Sequence, residues 1–166
     1  ALARAWDLRR DALRHTRSWA SVNGYGLFAR MTTQRFELHV EGTADGQTWR
    51  RYRFVYKPDA ADEAPPLVGV HMPRLDWNMW FAALEPRCPR RGWLPQLVRG
   101  LLEGRAPVQG LLAEDPFDGE PPQAIRIQRA SYVFTDGGTR DATGAVWAVK
   151  PMGAFCAPMQ LADLQR

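Results

Sequence analysis

The side chains best suited to binding or proton chemistry lie together in the segment V-H-M-P-R-L-D-W-N-M-W-F-A-A-L at 70–84. A histidine, an arginine and an aspartate precede three aromatic residues, a mixture found in recognition surfaces as well as in cores. Asp76 is the predicted N-cap of a helix. The apolar residues that follow recur at i, i+3, i+4 and i+7, as on one helical face: Trp77, Trp80, Phe81 and Leu84. The segment is therefore either a bulky core helix or a turn that shapes a binding surface.

Catalytic chemistry has no matching pattern. The sequence lacks a nucleophile elbow, a P-loop and a complete dinucleotide fingerprint. Its three histidines, His15, His39 and His71, are far apart and show no zinc-binding spacing. His39 falls on the polar side of a predicted strand and is expected to be exposed. We predict no enzymatic activity, no catalytic residue, no metal site and no cofactor.

Two cysteines leave two alternatives open. Cys88 and Cys156 are flanked by P-R-C-P-R and A-F-C-A-P, with no second cysteine or histidine at metal-binding spacing. Because the flanking residues give no pairing signal, two free thiols are the favoured interpretation. A disulfide is the alternative if the domain faces an oxidising compartment.

Strand patterns occupy both ends of the chain. Residues 34–57 are predicted to form a hairpin, because apolar and polar residues alternate from Phe36 to Glu41 and Asp45-Gly46 supplies a turn. A second pattern runs over 124–135, and a last short strand is predicted at 145–149. The hairpin and the 124–135 strand should share a sheet or face each other across the core.

The middle of the chain is predicted to be helical. Apolar stripes and helix stop signals predict helices at 76–85, 93–103 and 107–113. Strands around a helical middle predict a mainly β (α+β) fold. We expect an antiparallel β-sandwich, of which a jelly roll is one candidate topology, with a helical insertion at about 75–113.

Composition bounds the class of protein. The 166 residues carry a net charge of +4, and nearly all the basic residues are arginine, which favours a GC-rich bacterial source. Charges are dispersed and no nucleic-acid-binding motif is present, so no nucleic acid partner is predicted. No apolar run reaches the roughly 20 residues of a membrane span. We expect an Arg-rich juxtamembrane or linker helix at 1–17 and a single β-sandwich domain at 18–166.

Several segments, in the same order, resemble the C-terminal soluble domain of the lipase maturation factor family. The 70–84 segment resembles its best-marked motif, and N-G-Y-G-L-F-A-R-M-T-T at 23–33 is similar to its "NxYGLF..MTT" strand. The resemblance continues through F-E-L-H-V-E-G-T-A-D-G-Q-T-W-R-R-Y-R-F-V-Y-K-P at 36–58, Y-V-F-T-D at 132–136 and A-T-G-A-V-W at 142–147. It covers roughly residues 20–150.

This resemblance implies the soluble part of a multi-span membrane protein, whose membrane region precedes the domain. The implied function is non-enzymatic help in folding and assembling secreted lipases, by binding a client protein, a lipase or another secreted protein. The implied location is the endoplasmic reticulum in animal relatives and the cell membrane in a bacterium. The alternative is a jelly-roll module that binds a carbohydrate-type ligand.

Two segments carry more apolar bulk than a solvated loop needs, and loops often carry function. The turn ahead of the aromatic helix and the loop after the helical region are therefore the predicted client surface. Arg74 is expected to pair with the Asp76 carboxylate or to stack on an indole. The candidate partner-binding residues are His71, Met72, Pro73, Arg74, Asp76 and Phe117.

Overall fold

The computed structural model of the protein describes residues 34–68 and 73–164. The predicted helix at 1–17 and the 23–33 strand, together with His71 and Met72, lie outside the described residues. Gln34–Arg166 forms one compact unit, and its main sheet has the strand order β2-β1-β5-β6.

The centre of the main sheet is the pair β1 (Arg35–Thr43) and β5 (Ala124–Phe134). They pair antiparallel over the whole length of β1, from Arg35 opposite Tyr132 to Thr43 opposite Ala124. One face of both strands is fully buried in the core, through Leu38, Val40, Ile125 and Ile127. The prediction that these two segments share a sheet is confirmed.

The returning arm of the hairpin is much shorter than predicted. β2 (Arg50–Arg51) pairs with β1, but β3 (Arg53–Phe54) instead pairs with β4 (Leu112–Glu114) in a separate two-stranded sheet. In the segment that follows β2, side-chain carboxylates accept hydrogen bonds from backbone N–H groups. Asp59 accepts the Phe54 N–H at 3.1 Å and Asp76 accepts the Tyr56 N–H at 2.9 Å, so this segment leaves β1.

Three helices lie between the strand-rich ends: α1 (Arg74–Leu84), α2 (Trp93–Leu102) and α3 (Ala106–Gln109). The predicted apolar stripe of α2 is confirmed, and all of its members are buried: Leu94, Leu97, Val98, Leu101 and Leu102. The predicted third helix is only four residues long, and strand β4 occupies the rest of that segment.

The orientation of α1 differs from the prediction. Its buried residues are Asp76, Met79, Ala82 and Ala83. The predicted core face is the outer one, where Phe81 and Leu84 are exposed and both tryptophans are half-buried. Small alanines let the helix backbone approach the sheet closely, and the bulky rings then fit only on the other side.

The start of α1 also differs from the start predicted from the sequence. The helix begins at Arg74 with Pro73 as its N-cap residue, without a side-chain capping bond. The predicted N-cap, Asp76, lies in the first turn, and its carboxylate is used by Tyr56.

A fourth helix and a long strand follow β5. Asp136 is the N-cap of α4 (Gly137–Thr143), where its carboxylate accepts the Thr139 N–H at 2.7 Å. The last strand is β6 (Trp147–Met159), followed by a 3-10 helix, Leu161–Leu164. Within the described sheet β6 is an edge strand, a position that tolerates Pro151.

The preference for two free thiols is wrong. Cys88 and Cys156 form a disulfide, with their Cα atoms 5.2 Å apart. It joins the loop after α1 to β6.

The described residues therefore form a mixed α+β fold with antiparallel sheets and four α-helices. The sandwich and its jelly-roll form are not confirmed, because the described part of the chain has one four-stranded sheet whose core face is covered by helices.

Candidate functional site

The outward side of α1 is a surface with aromatic and basic character. We call Arg74, Trp77, Trp80, Phe81 and Leu84 the outer α1 face. Its three rings form one cluster, with centroid distances of 5.1 to 5.5 Å. Phe81 is 42 % exposed and Leu84 37 % exposed. Exposed apolar groups held on a rigid helix are suited to contact with another protein.

The structure separates the predicted partner-binding residues. Arg74 is exposed on the outer α1 face, whereas Asp76 is 2 % exposed and faces inward. The predicted ion pair between them is not present within the described residues. Pro73 is half-buried at the start of the helix.

Phe117 belongs to a different region. Its half-buried ring packs 5.7 Å from the Tyr52 ring and lies against Gly42, at the far end of β1 from α1. Asp76 instead lines a pocket with Glu37. Five residues of strand separate Glu37 from Gly42, or about 17 Å. Phe117 and Asp76 therefore do not belong to one site.

A pocket of about 220 Å³ lies between β1, the segment after β3 and α1. We call it the α1 pocket. Trp77 and Trp80 line it from the helix, and charged groups line it from the other elements. Sequence reasoning missed three of the buried charged residues in and behind it: Glu37, Lys57 and Asp59. The one available signal was Lys57-Pro58-Asp59, which places opposite charges around a rigid proline.

These charged groups form two separate ion pairs. The Lys57 ammonium contacts the Asp59 carboxylate, and both residues are buried. Arg35 donates from Nε to Glu37 Oε1 at 2.7 Å. The other oxygen, Glu37 Oε2, is buried and has no hydrogen-bond partner. Burial raises the pKa of Glu37, against the opposing effect of Lys57 and Arg35.

His39 is buried, and the expectation that it is exposed is wrong. It is 4 % exposed, and its Nε2 lies 2.8 Å from the Tyr132 hydroxyl oxygen. Burial, reinforced by the charges of Lys57 and Arg51, lowers the pKa of His39 to about 3. The imidazole is therefore neutral at physiological pH and serves as a structural hydrogen-bonding group.

The polar face of the main sheet, on which Glu37 and His39 lie, has a shallow hollow of about 550 Å³. Arg51, Arg126 and Gln128 lie around it, and both arginines pair with Glu41. In the described part of the chain, no group of three His, Cys, Asp or Glu side chains is placed to hold a metal ion.

Comparison with known proteins decides the family. A sequence model described as the lipase maturation factor C-terminal domain matches residues 21–157. The chain belongs to the lipase maturation factor family. The match covers all of β1 and β5 and almost all of β6, so the recognised family resemblance is confirmed.

Curated members of the family from animals show the same similarity. Lipase maturation factor 2 of Homo sapiens is 41 % identical over 148 residues, covering 86 % of this chain and 20 % of that protein. Lipase maturation factor 2 of Mus musculus is 45 % identical over 123 residues, covering 70 % of this chain and 17 % of that protein. Lipase maturation factor 1 of Homo sapiens is 35 % identical over 159 residues, covering 91 % and 28 %.

This chain thus spans less than a third of each of these lipase maturation factors. They are animal proteins and give no support to a bacterial source. No solved structure matches the chain. None of the described helices has the length and apolar character needed to cross a membrane.

Proposed function

We propose that this chain is the domain with which a lipase maturation factor binds a secreted lipase while the lipase folds and assembles. The observation that carries the proposal is the family match over residues 21–157. Binding, without a chemical step, is the role proposed for the domain.

The outer α1 face supports a protein partner. Hot spots at protein interfaces favour Trp and Arg, surrounded by apolar and polar groups that exclude water. Arg74, Phe81 and Leu84 are exposed on one side of a rigid helix, next to two half-buried tryptophans. We propose that this face contacts the client, in place of the wider turn and loop surface predicted from the sequence. Phe117 is better explained by packing against Tyr52.

The proposed setting is a membrane protein with this domain in an oxidising compartment. The Cys88–Cys156 disulfide supports that side of the membrane, because disulfides persist in the endoplasmic reticulum and outside the cell and are rare in the cytosol. The membrane contact would come from another part of the full-length protein.

The test is binding of a purified secreted lipase to the 166-residue chain by biolayer interferometry, with native and partly unfolded lipase compared. Leu84→Ala should weaken binding by about 1–3 kcal/mol, the range for an interface anchor. Leu111→Ala is the matched control, because Leu111 is also an exposed leucine, at 50 %, but lies outside α1. If the lipase binds the parent chain, Leu84→Ala and Leu111→Ala with equal affinity, the proposed surface is refuted. If the parent chain binds neither native nor partly unfolded lipase, the proposed function is refuted.

The alternative, a carbohydrate-type ligand, remains a prediction. The hollow beside Arg51 and Arg126 is the region with suitable polar groups, but its arginines already share Glu41. A glycan array probed with the same chain would test this alternative.

A further inference from the structure

The loop between α1 and α2 carries three arginines on the surface of the domain. We call residues 85–92, E-P-R-C-P-R-R-G, the arginine loop. Arg87, Arg90 and Arg91 are all exposed, and none of them forms an ion pair with a described carboxylate. We propose that an endoprotease specific for paired arginines cuts the bond between Arg91 and Gly92, and that the domain stays together as two chains joined by its disulfide.

The backbone of the arginine loop is accessible. Residues 86–91 form no hydrogen bond between backbone groups within the described structure, so no helix or strand bond has to break when the loop enters an active site. A Cβ atom built on Gly92 would have nothing within 4 Å apart from its chain neighbours, which leaves open space beside the bond that is cut. Exposed loops without burial or backbone pairing are the preferred sites of proteolytic nicking.

The exposed arginines supply the recognition chemistry. Endoproteases that cut after arginine bind its side chain through a carboxylate in their specificity pocket, where the guanidinium makes paired charge-assisted hydrogen bonds. Arg91 would occupy that pocket, and Arg90 would place a second positive charge in an acidic neighbouring subsite. Both side chains are exposed, so a protease can bind them without disturbing the core.

The structure distinguishes this pair of arginines from a chemically similar one. Arg50 and Arg51 are also adjacent, but they form β2 and pair with Glu41 and Gly42 of β1. Arg51 also donates to the Asp59 carbonyl at 2.8 Å, which holds its side chain on the sheet. The two pairs therefore differ in accessibility and not in residue type. Of these two, only the pair in the arginine loop is expected to be cut in the folded chain.

Several contacts join the two sides of the cut. Cys88, which precedes the cut bond, is joined to Cys156 in β6, and Arg129 of β5 contacts the Glu85 carbonyl. The first chain would carry β1 and α1, the second would carry α2, β5 and β6, and β1 pairs with β5 over its whole length. The cut adds one water molecule, whose hydroxyl completes the new carboxyl group and whose hydrogen goes to the new amine. The outer α1 face and α2 would then lie on different chains of a domain that stays folded.

The experiment is digestion of the folded 166-residue chain, without a reductant, by a subtilisin-like endoprotease that cuts after paired arginines. Mass spectrometry without reduction should show one product that contains both pieces. After reduction, residues 92–166 should appear as a separate piece with a new N-terminus at Gly92. Synthetic peptides with the sequences of residues 46–55 and 86–95 are the controls for sequence preference, and both should be cut because neither is held in a folded domain.

Two matched variants test the assigned residues. Arg91→Gln should slow the cut by at least about a hundredfold, because a pocket built around a charged partner rejects a side chain that lacks the charge. Arg50→Gln, which removes an exposed arginine of the other pair, should leave the rate unchanged. The proposal is overturned if the Arg91–Gly92 bond stays intact while the 86–95 peptide is consumed, or if the folded chain is cut first after Arg51. Separation of the two pieces without reduction, or cutting of Arg91→Gln in the loop at the parent rate, would also overturn it.

Discussion

Acid should destabilise this domain through one buried histidine. His39 is neutral and 4 % exposed in the folded chain, where its pKa is about 3 instead of the ordinary 6.5. As the pH falls below 6.5, the unfolded chain takes up a proton at this residue before the folded chain can. Stability contributed by His39 is therefore complete above pH 6.5 and is lost progressively as the pH falls towards 3.

The magnitude follows from the two pKa values. Between them the loss approaches about 1.4 kcal/mol per pH unit, so a pKa of about 3 in the folded state and 6.5 in the unfolded state gives a loss of about 2.5 kcal/mol between pH 7 and pH 4.5. Glu37 acts in the opposite direction, because its raised pKa makes its contribution to stability fall as the pH rises from 4.5 through its folded pKa.

The assay compares the parent chain with His39→Gln, because subtraction cancels the contribution of Glu37 and of the other two histidines. Urea unfolding at several pH values between 7 and 4.5, followed by fluorescence and circular dichroism together, gives the free energy of unfolding. The free energy of unfolding of the parent chain minus that of His39→Gln should decrease by about 2.5 kcal/mol from pH 7 to pH 4.5. A constant difference would refute the burial argument. Tyr132→Phe should lower stability at every pH but keep the slope, because it removes the hydroxyl that contacts His39.

Three stability predictions follow from packing and cross-linking. Replacing Cys88 and Cys156 together by serine should cost about 4 kcal/mol in urea unfolding, because their sequence separation of 68 closes a long loop; an unchanged midpoint would contradict this. Met79→Ala should cost about 3 kcal/mol and Trp80→Ala roughly 2, since only Met79 is fully buried, and the reverse order in thermal unfolding would be against the observed helix orientation. Gly42→Ala should cost about 1–3 kcal/mol, because its Cβ would meet an aromatic ring at 2.7 Å; wild-type stability would show that the ring moves freely.

Local periodicity accounts for what could be predicted from the sequence. The alternation in β1 and the apolar stripe of α2 each lie within a few residues, and both elements were found where the pattern places them. The pairing of β1 with β5 also follows, because each strand has apolar residues on one face that must be covered, Leu38 and Val40 in β1 and Ile125 and Ile127 in β5.

The features that were missed depend on residues distant in the chain. His39 and Glu37 occupy the polar side of β1, yet Lys57 and Asp59 cover that side and bury it. The disulfide joins cysteines 68 residues apart, and no local sequence pattern indicates that two cysteines so far apart in the chain are close in space.

The orientation of helix α1 was predicted wrongly for a different reason. Both of its sides repeat with a helical period, and the aromatic side has the greater apolar surface. Met79 and Ala83 nevertheless face the core, since a side with small residues can lie closer to the sheet.

The buried charges beneath α1 are costly, and this cost bears on function. Replacing buried ion pairs by well-packed apolar residues is often neutral or stabilising, so stability alone does not account for the α1 pocket. Glu37 Oε2, which is buried without a hydrogen-bond partner, adds a further penalty of about 1–3 kcal/mol. The outer α1 face and the α1 pocket share Trp77 and Trp80, and Phe81 packs on both rings. A partner that packs on Phe81 would therefore also contact the two rings that line the α1 pocket, so that the outer α1 face and the rim of the pocket would act as one surface.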